Sequence, residues 1–173
     1  ILFDMDGVLC DSEPFLYEAA RQMFEERYNL RLAREDFAPF VGTGEDRYLG
    51  GVAEVKGISL RMPDDKEYTY VIYLEIIRGR LRALPGVHDF IKAARAAGYR
   101  LAVASSADRV KLNGNLNEIG LPSSQFDTVL TGSDVERKKP APDLFLKAAE
   151  QIGLPPSACW VIEDSPSGLQ AAR

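Results

Sequence analysis

Two carboxylates separated by one residue, Asp4 and Asp6, stand directly after the apolar residues 1–3. Two anions so close together repel each other and need a bound cation, a shared proton or full solvation. Carboxylate oxygens favour hard divalent ions, so the simplest remedy is a site for Mg²⁺. Gly7, which follows at once, suits a tight backbone bend beside a ligand. The stretch therefore predicts a metal site, and the simpler alternative is a strand that ends in an acidic turn.

A second acidic pair, Glu163 and Asp164, follows the apolar stretch 159–162. With the first pair it would put four carboxylates in one cleft, which requires a metal ion and a lysine for compensation. Lys139 is the candidate lysine, because the prolines of Lys-Pro-Ala-Pro-Asp (139–143) give a rigid start to a helix and can aim its side chain. A solvated basic surface run is the alternative for this stretch.

Two hydroxyl groups, on Ser105 and Ser106, follow the short apolar stretch 100–104. The hydroxyl of Ser105 and the backbone N–H groups near the next helix start both suit an oxygen of a phosphate group. Taken alone, a pair of serines is more typical of an ordinary strand-to-helix turn. The serines therefore indicate a phosphate site only together with the acidic pairs and Lys139.

The elements that must position these residues are predicted by the periodicity of apolar side chains. From residue 84 onwards, short apolar stretches alternate with segments of helical spacing, which predicts a parallel, doubly wound sheet of the α/β class. Ligands of such sheets bind outside the carboxyl ends of the strands, so we expect both acidic pairs and the serines at one edge. Residues 13–82 have helical spacing and are predicted to form an inserted helical cap, with Ser12 capping its first helix. Residues 1–12 and 83–173 then form the core.

Length and composition are those of an ordinary globular protein and exclude some functional classes. The chain of 173 residues has 46% hydrophobic and 27% charged residues, and its formal charge of −5 argues against a nucleic-acid surface. No apolar run is long enough to cross a membrane. Cys10 and Cys159 form no metal-binding pattern, so a reducing, cytoplasmic setting is expected. Because the chain starts without Met and stops inside a helical pattern, we expect it to be part of a longer polypeptide.

Three stretches taken together resemble a known family. They are Asp-x-Asp-Gly-Val-Leu-x-Asp-Ser (4–12), Lys-Pro-x-Pro-Asp (139–143) and Val-Ile-Glu-Asp-Ser-x-x-Gly (161–168). Their order is similar to the motifs of the haloacid dehalogenase superfamily, in the branch with a small helical cap that includes beta-phosphoglucomutase-like phosphatases. The resemblance implies a Rossmann-like core, a Mg²⁺ cofactor and phosphoryl transfer through an aspartyl phosphate.

The resemblance also implies roles for the acidic residues. Asp4 would be the nucleophile, and Asp6 the general acid and base. The carboxylates of Asp4 and Asp164 and the backbone carbonyl of Asp6 would hold Mg²⁺, with Glu163 either as a further ligand or as a group behind the ligands. Haloacid dehalogenases and phosphonate-cleaving relatives lack an aspartate at the position of Asp6, so its presence favours phosphate esters and a phosphoric monoester hydrolase.

The substrate-binding residues implied by the resemblance lie in two places. In the core, Ser105 and Lys139 would bind the transferring phosphoryl group, with Ser106 beside them. In the cap, a loop that usually faces the active site would contribute Thr43, Gly44, Glu45 and Arg47. A plain helix–helix turn is the alternative for that loop.

A sugar-phosphate mutase of the beta-phosphoglucomutase type is the main alternative function. That enzyme has a cap histidine where this chain has Leu16, and a cap-loop arginine where this chain has Glu45, although Arg47 lies close by. The single histidine, His88, falls in a core helix and is expected on its surface. These departures favour simple hydrolysis. A non-catalytic interaction module with the same fold is a further alternative, although every catalytic motif carries a competent residue.

A weaker resemblance concerns Phe-Val-Gly-Thr-Gly-Glu (40–45) and Leu-Gly-Gly-Val-Ala (49–53). These stretches are similar to the phosphatase-like domain of plant suppressor-of-quenching proteins, which implies a plastid as the alternative to the cytoplasm. Together, the residues and the resemblances predict a Mg²⁺-dependent phosphatase for a small phosphorylated metabolite, with sugar phosphates as the favoured class. We expect a monomer or weak dimer without nucleic-acid or membrane partners.

Overall fold

The computed structural model describes residues 1–42 and 44–173. They form two compact units. The first, the core unit, comprises Ile1–Ser12 and Leu81–Arg173, and the second, the helical unit, comprises Glu13–Arg80. Each unit has its own buried apolar side chains.

The core unit is built on a sheet of four parallel strands. The strands are β1 (Leu2–Phe3), β2 (Ala102–Ala104), β3 (Thr128–Leu130) and β4 (Val161–Ile162), in the spatial order β3-β2-β1-β4. Phe3 pairs with Val103 on one side and with Ile162 on the other, so β1 is a central strand. The parallel sheet with helices between its strands confirms the predicted Rossmann-like α/β fold.

Helices connect the strands and make up the helical unit. In chain order they are α1 (Glu13–Tyr28), α2 (Arg34–Phe37), α3 (Glu45–Val55), α4 (Asp64–Ile77), α5 (Val87–Ala96), α6 (Arg109–Glu118), α7 (Asp143–Gln151) and α8 (Pro166–Ala172). Short 3₁₀ turns occur at 38–40, 123–125, 132–134 and 156–158. Among the residues described, no helix combines the length and the apolar character needed to cross a membrane.

The alternation of side chains along β1 explains how the sheet is covered on both faces. Leu2 joins a buried cluster with Leu144 and Ala148 of α7. Phe3 points to the opposite face, where its ring meets Phe90 of α5 and Phe126 in edge-to-face contacts at 6.1 and 6.5 Å. Burying one such side chain stabilises the fold by roughly 1.5–3 kcal/mol. A strand of two residues is therefore held in place by helices on both sides, and the chain after Phe3 leaves the sheet at a defined point.

The helical unit has an aromatic core centred on Phe37. Its ring contacts Tyr17, Phe24 and Tyr48 at centroid distances of 5.4, 6.2 and 5.1 Å. Gly51 allows α3 to approach this region, because a Cβ there would lie 2.3 Å from the ring of Phe40. Close packing of large rings therefore accounts for a glycine in the middle of a helix.

The structure corrects several predicted boundaries. The spacing of apolar residues predicts one helix over 63–82, but α4 ends at Ile77, and Gly79 follows with a φ of +69° that a continuing helix excludes. The sequence also predicts one short helix over 34–41, but this segment is divided into α2 and a 3₁₀ turn that contains Pro39, which has no N–H to donate to an α-helical bond. The strands are shorter than the apolar stretches that predicted them, because each stretch also includes residues, such as Leu101 and Trp160, that lie outside the strand.

Candidate active site

The loop after β1 brings Asp4 and Asp6 to the carboxyl edge of the sheet. The backbone N–H of Asp4 donates to the carbonyl of Ile162 in β4 at 3.0 Å, and the chain then turns. Gly7 adopts a φ of +77°, and a Cβ there would lie 2.0 Å from Oδ2 of Asp164. A residue without a side chain is therefore required for the loop to approach Asp164 this closely.

Lys139 links the first acidic pair with the second. Its Nζ lies 2.6 Å from Oδ1 of Asp4 and 2.6 Å from Oε2 of Glu163, and only 5% of its side chain is exposed. The lysine precedes α7, and its ammonium group also lies 4.8 Å from the ring centre of Phe145 on that helix. The basic stretch is thus not a solvated surface run at this position, since Lys139 is buried against two carboxylates.

Glu163 uses both of its carboxylate oxygens within the protein. While Oε2 accepts from Lys139, Oε1 accepts from the backbone N–H and the hydroxyl of Ser165 at 3.0 and 2.8 Å. Burial raises the pKa of Glu163, but these donors outweigh burial and hold its pKa below the ordinary value. A Cβ at Gly168 would lie 2.0 Å from Cδ of Glu163, which explains a glycine at this point of α8. The geometry makes Glu163 an anchor for Lys139.

The positive charge around Asp4 and Asp164 does not balance the negative charge of the carboxylates in this cluster. Burial raises the pKa of Asp4 to about 7, with Lys139 opposing the shift and the charges of Asp6 and Glu163 adding to it. Burial and the same two neighbouring carboxylates also raise the pKa of Asp164. Both groups are therefore held where an additional cation would favour their ionised form.

Asp6 has its own lysine. Its Oδ2 accepts from Nζ of Lys111 on α6 at 2.8 Å, and its Oδ1 accepts from the hydroxyl of Ser12. From the sequence, Ser12 is expected to cap a helix, and Lys111 is not expected in the site. The buried residues of α6 are Lys111, Leu112, Asn115 and Leu116, two of which are polar, so apolar periodicity alone does not indicate that Lys111 is buried.

The two serines lie at the same edge of the sheet. Because Phe3 pairs with Val103, Asp4 is level with the end of β2, and Ser105 follows directly. Ser105 is buried, and its Oγ accepts from the N–H of Ala107 at 3.2 Å. Ser106 is half-buried next to it. The structure thus brings both serines to the strand ends that carry the acidic pairs.

The predicted cap-loop residues belong to the helical unit. Thr43 lies outside the described residues. Gly44 precedes α3, and Glu45 is the buried first residue of that helix. The exposed side chain of Arg47 donates to Oε2 of Glu54 at 2.9 Å. Within the helical unit Arg47 is therefore engaged on its own helix, and a role of this loop in substrate binding stays a prediction.

The acidic residues of the core unit fit a divalent cation. One carboxylate oxygen each from Asp4, Glu163 and Asp164 lie within 4.8 Å of one another. Together with Asp6 there are four carboxylates, against the ammonium groups of two lysines that contact them. Two negative charges remain, which is the charge that one Mg²⁺ would balance, and oxygen donors are those that Mg²⁺ prefers. Because Glu163 is already fully hydrogen-bonded, Asp4 and Asp164 are the better donors in this set.

Comparison with known proteins agrees with this site. A family model described as "haloacid dehalogenase-like hydrolase" matches residues 1–173. The chain belongs to the haloacid dehalogenase-like hydrolase family. The predicted enzyme class, a phosphatase of the haloacid dehalogenase type, is confirmed at that level by the family match and by relatives named as phosphatases.

Individual relatives match all or nearly all of the chain. It is 44% identical to the protein SUPPRESSOR OF QUENCHING 1, chloroplastic, of Arabidopsis thaliana, over 100% of this chain and 17% of that protein. It is 31% identical to the fructose-1-phosphate phosphatase YqaB of Escherichia coli, over 100% of this chain and 90% of that protein. The crystal structure of CbbY from Rhodobacter sphaeroides in complex with phosphate has a TM-score of 0.87 and 26% identity, over 99% of this chain and 80% of that one. The chain thus spans less than a fifth of the plant protein but most of the two bacterial ones.

Proposed function

We propose that the chain is a Mg²⁺-dependent phosphatase that hydrolyses a small phosphorylated metabolite through an aspartyl phosphate on Asp4. The observation that carries this proposal is the setting of Asp4. Its side chain is 11% exposed at the carboxyl edge of the sheet, 2.6 Å from the ammonium group of Lys139. A second aspartate, Asp6, stands two residues away with its own hydrogen-bond donors. A nucleophile and a separate acid–base group are the two parts that covalent phosphoryl transfer needs.

In the first step, a carboxylate oxygen of Asp4 attacks phosphorus while the bond from phosphorus to the leaving oxygen breaks. Lys139 opposes protonation of Asp4 and, with the hydroxyl of Ser105, binds oxygens of the transferring group. Asp6 gives a proton to the leaving oxygen, so that an alcohol departs and not an alkoxide. The protein thus contributes mainly positioning and electrostatic stabilisation, as is usual in phosphoryl transfer.

In the second step, Asp6 has become a carboxylate and acts as a base. It takes a proton from a water molecule, whose oxygen attacks the phosphorus of the aspartyl phosphate. The bond from phosphorus to Asp4 breaks, inorganic phosphate is formed, and the carboxylate of Asp4 is restored. The same residue therefore serves as acid and then as base, which requires that it remain close to Asp4 throughout.

The residues that would hold Mg²⁺ are the carboxylates of Asp4 and Asp164 and the backbone carbonyl of Asp6. Bound there, the ion would supply Lewis-acid polarisation of the phosphoryl group and balance the surplus negative charge. Glu163 would act one layer further out, because its oxygens already bind Lys139 and Ser165. Its part is to hold Lys139 against Asp4.

Sugar phosphates are the substrate class that we propose. The name of the Escherichia coli relative, a fructose-1-phosphate phosphatase, supports this choice. The name of the plant relative supports the plastid over the cytoplasm as the cellular setting. The mutase alternative is weaker, since Leu16 is a buried apolar residue of α1 and has no group that could exchange a proton.

The test is release of inorganic phosphate from a panel of sugar phosphates, nucleotides and phosphoglycolate, with Mg²⁺ and with a chelator. Glucose 1-phosphate isomers are included and also assayed for glucose 6-phosphate. Phosphate release that stops with chelator and returns with Mg²⁺ supports the proposal, and the ranking of substrates tests the sugar-phosphate class. Isomerisation of the sugar phosphate without release of phosphate would favour the mutase over the phosphatase. If a folded, Mg²⁺-binding protein yields neither phosphate nor glucose 6-phosphate, this result contradicts hydrolysis of these substrates and favours an interaction module.

A further inference from the structure

We propose that Lys111 is a positioning residue for Asp6, and that it keeps the acid–base carboxylate of this site in the place that the reaction needs. The inference rests on the proposed function. Lys111 lies on α6, 105 residues away from Asp6 in the sequence, and its Nζ lies 2.8 Å from Oδ2 of Asp6.

The burial of Lys111 is the first reason to assign it a function. Only 5% of its side chain is exposed, and its neighbours on the inner face of α6 include Leu112 and Leu116, which are fully buried. Lysine is rarely buried so deeply unless its charge is paired. Replacing both members of a buried ion pair by apolar side chains commonly leaves a fold equally or more stable, so stability alone does not account for the pairing of Lys111 with Asp6.

The charges around Asp6 are the second reason. One third of the Asp6 side chain is exposed, and its anionic neighbours include Asp4 and Asp164. Repulsion from these groups favours rotation of the Asp6 carboxylate away from the site and into solvent. Lys111 holds one oxygen of Asp6, and the hydroxyl of Ser12 holds the other. These two donors keep the carboxylate beside the nucleophile against that repulsion.

The two aspartates of the first motif thus have one lysine each. Lys139 serves Asp4 and comes from the turn before α7, whereas Lys111 serves Asp6 and comes from α6. Both lysines belong to the core unit, so the core unit orients nucleophile and acid–base group with its own residues. Lys111 acts through Asp6 and not on the substrate, and its loss should therefore affect the proton transfer more than substrate binding.

The test compares two leaving groups in the full chain with Mg²⁺. An alkyl phosphate ester, such as the best sugar phosphate of the panel, needs a proton from Asp6 when its bond breaks, whereas 4-nitrophenyl phosphate releases a stable anion and needs none. For Lys111→Met we expect kcat/KM to fall about 100-fold with the sugar phosphate and less than about fivefold with 4-nitrophenyl phosphate, with KM for the sugar phosphate nearly unchanged. Lys111→Arg, which keeps the charge, should recover most of the loss.

The control is Lys147→Met, which removes another lysine of the core unit whose ammonium group binds an acceptor, here the carbonyl of Asp134. We expect this variant to match the wild type with both substrates. A wild-type protein without phosphatase activity would overturn the proposed function and this inference with it. If the wild type is active, three results would overturn this inference alone. They are an equal loss of kcat/KM for both esters in Lys111→Met, no loss in Lys111→Met, and no recovery in Lys111→Arg. Thermal unfolding of each variant shows whether a loss of activity is caused by unfolding. A loss of activity with that cause would also contradict the positioning role of Lys111.

Discussion

Two buried aspartates, Asp4 in the core unit and Asp65 in the helical unit, show opposite electrostatic settings. The side chain of Asp4 is 11% exposed, and burial with neighbouring carboxylates raises its pKa to about 7. The side chain of Asp65 is fully buried, yet its pKa lies below the ordinary value. Depth of burial alone therefore does not determine how a carboxylate behaves in this molecule.

The partners of Asp65 explain its stability as an anion. Burial raises its pKa, but the hydroxyl of Tyr28, the guanidinium of Arg27 and the backbone N–H of Arg61 all donate to it and lower the pKa further than burial raises it. Arg27 and Tyr28 lie on α1 and Asp65 on α4, so these bonds join two helices of the helical unit. Asp65 is a structural carboxylate with all of its charge compensated.

Asp4 has a different set of partners. Its ammonium partner, Lys139, is shared with Glu163, and its other charged neighbours are anions. Such a group costs stability unless a cation binds, and perturbed carboxylates of this kind are typical of reactive sites. Surplus negative charge thus marks the core cluster as a place for binding and chemistry, whereas full compensation of its charge marks Asp65 as part of the framework.

The sharpest test of this comparison is Asp4→Asn. Because the amide is a far poorer nucleophile, we expect phosphate release to fall by about 10⁴-fold or more. Stability should be kept or increased, since one of several mutually repelling carboxylates is removed. Steady-state kinetics and thermal unfolding measure the two effects. More than a few per cent of residual turnover would contradict the assignment of Asp4.

Asp65→Asn should give the reverse result. The amide cannot pair with Arg27 as a charge, so we expect the free energy of unfolding to fall by about 3 kcal/mol, with little change of kcat in the folded protein. Urea denaturation followed by circular dichroism measures the change. The control is Asp64→Asn, which alters the exposed neighbour on the same helix. Equal effects of the two substitutions would show that compensation of Asp65 does not stabilise the fold.

Gly7→Ala tests how tightly the core cluster is assembled. A Cβ at Gly7 would lie 2.0 Å from Oδ2 of Asp164 and must displace that carboxylate, so we expect activity to fall about 100-fold and Mg²⁺ binding to weaken. Gly153→Ala is a matched control, because Gly153 has a φ of +73° against +77° for Gly7 but no atom within 4 Å of the added Cβ. Both variants should lose about 1–2 kcal/mol of stability from the backbone alone. If Gly153→Ala lowers activity as much, backbone strain and not the contact with Asp164 explains the effect.

Asp127 extends the comparison to a carboxylate near the surface. Burial opposes ionisation, but the N–H of Leu101 and the guanidinium groups of Arg100 and Arg95 lower the pKa of Asp127 to about 2. Because its pKa is lower in the folded than in the unfolded state, its contribution is present above about pH 4 and is lost as the pH falls through 2. After allowance for solvent screening we expect about 1 kcal/mol.

Urea denaturation between pH 5 and pH 2 measures this contribution as the difference between the wild type and Asp127→Asn. The difference in free energy of unfolding should shrink as the pH falls. A difference that is constant across this range would show that the ionised carboxylate adds nothing beyond what the amide supplies.

Several features of the fold and site could be predicted from the sequence because they depend on local patterns. Alternating apolar stretches and helical segments predicted the parallel sheet, and the rule that strand ends carry the site brought Asp4, Ser105 and Glu163 to one edge before any contact was known. The exact ends of strands and helices could not be predicted, because residues of the same apolar character lie both inside and beyond the ladder. One of the two glycines of α3, Gly51, has no local explanation, because only folding packs the ring of Phe40 against it.

The order of residues specifies which chemical groups are available: two acidic pairs, a lysine before a rigid helix start, and serines after a strand. How these charges are paired depends on folding. Folding places Lys111 on Asp6 across 105 residues of sequence and turns Glu163 towards Lys139 and Ser165. The physical reason is that the order of elements follows from short-range periodicity, whereas the balance of charge in a buried cluster depends on distances of about 3 Å between groups that only folding brings together.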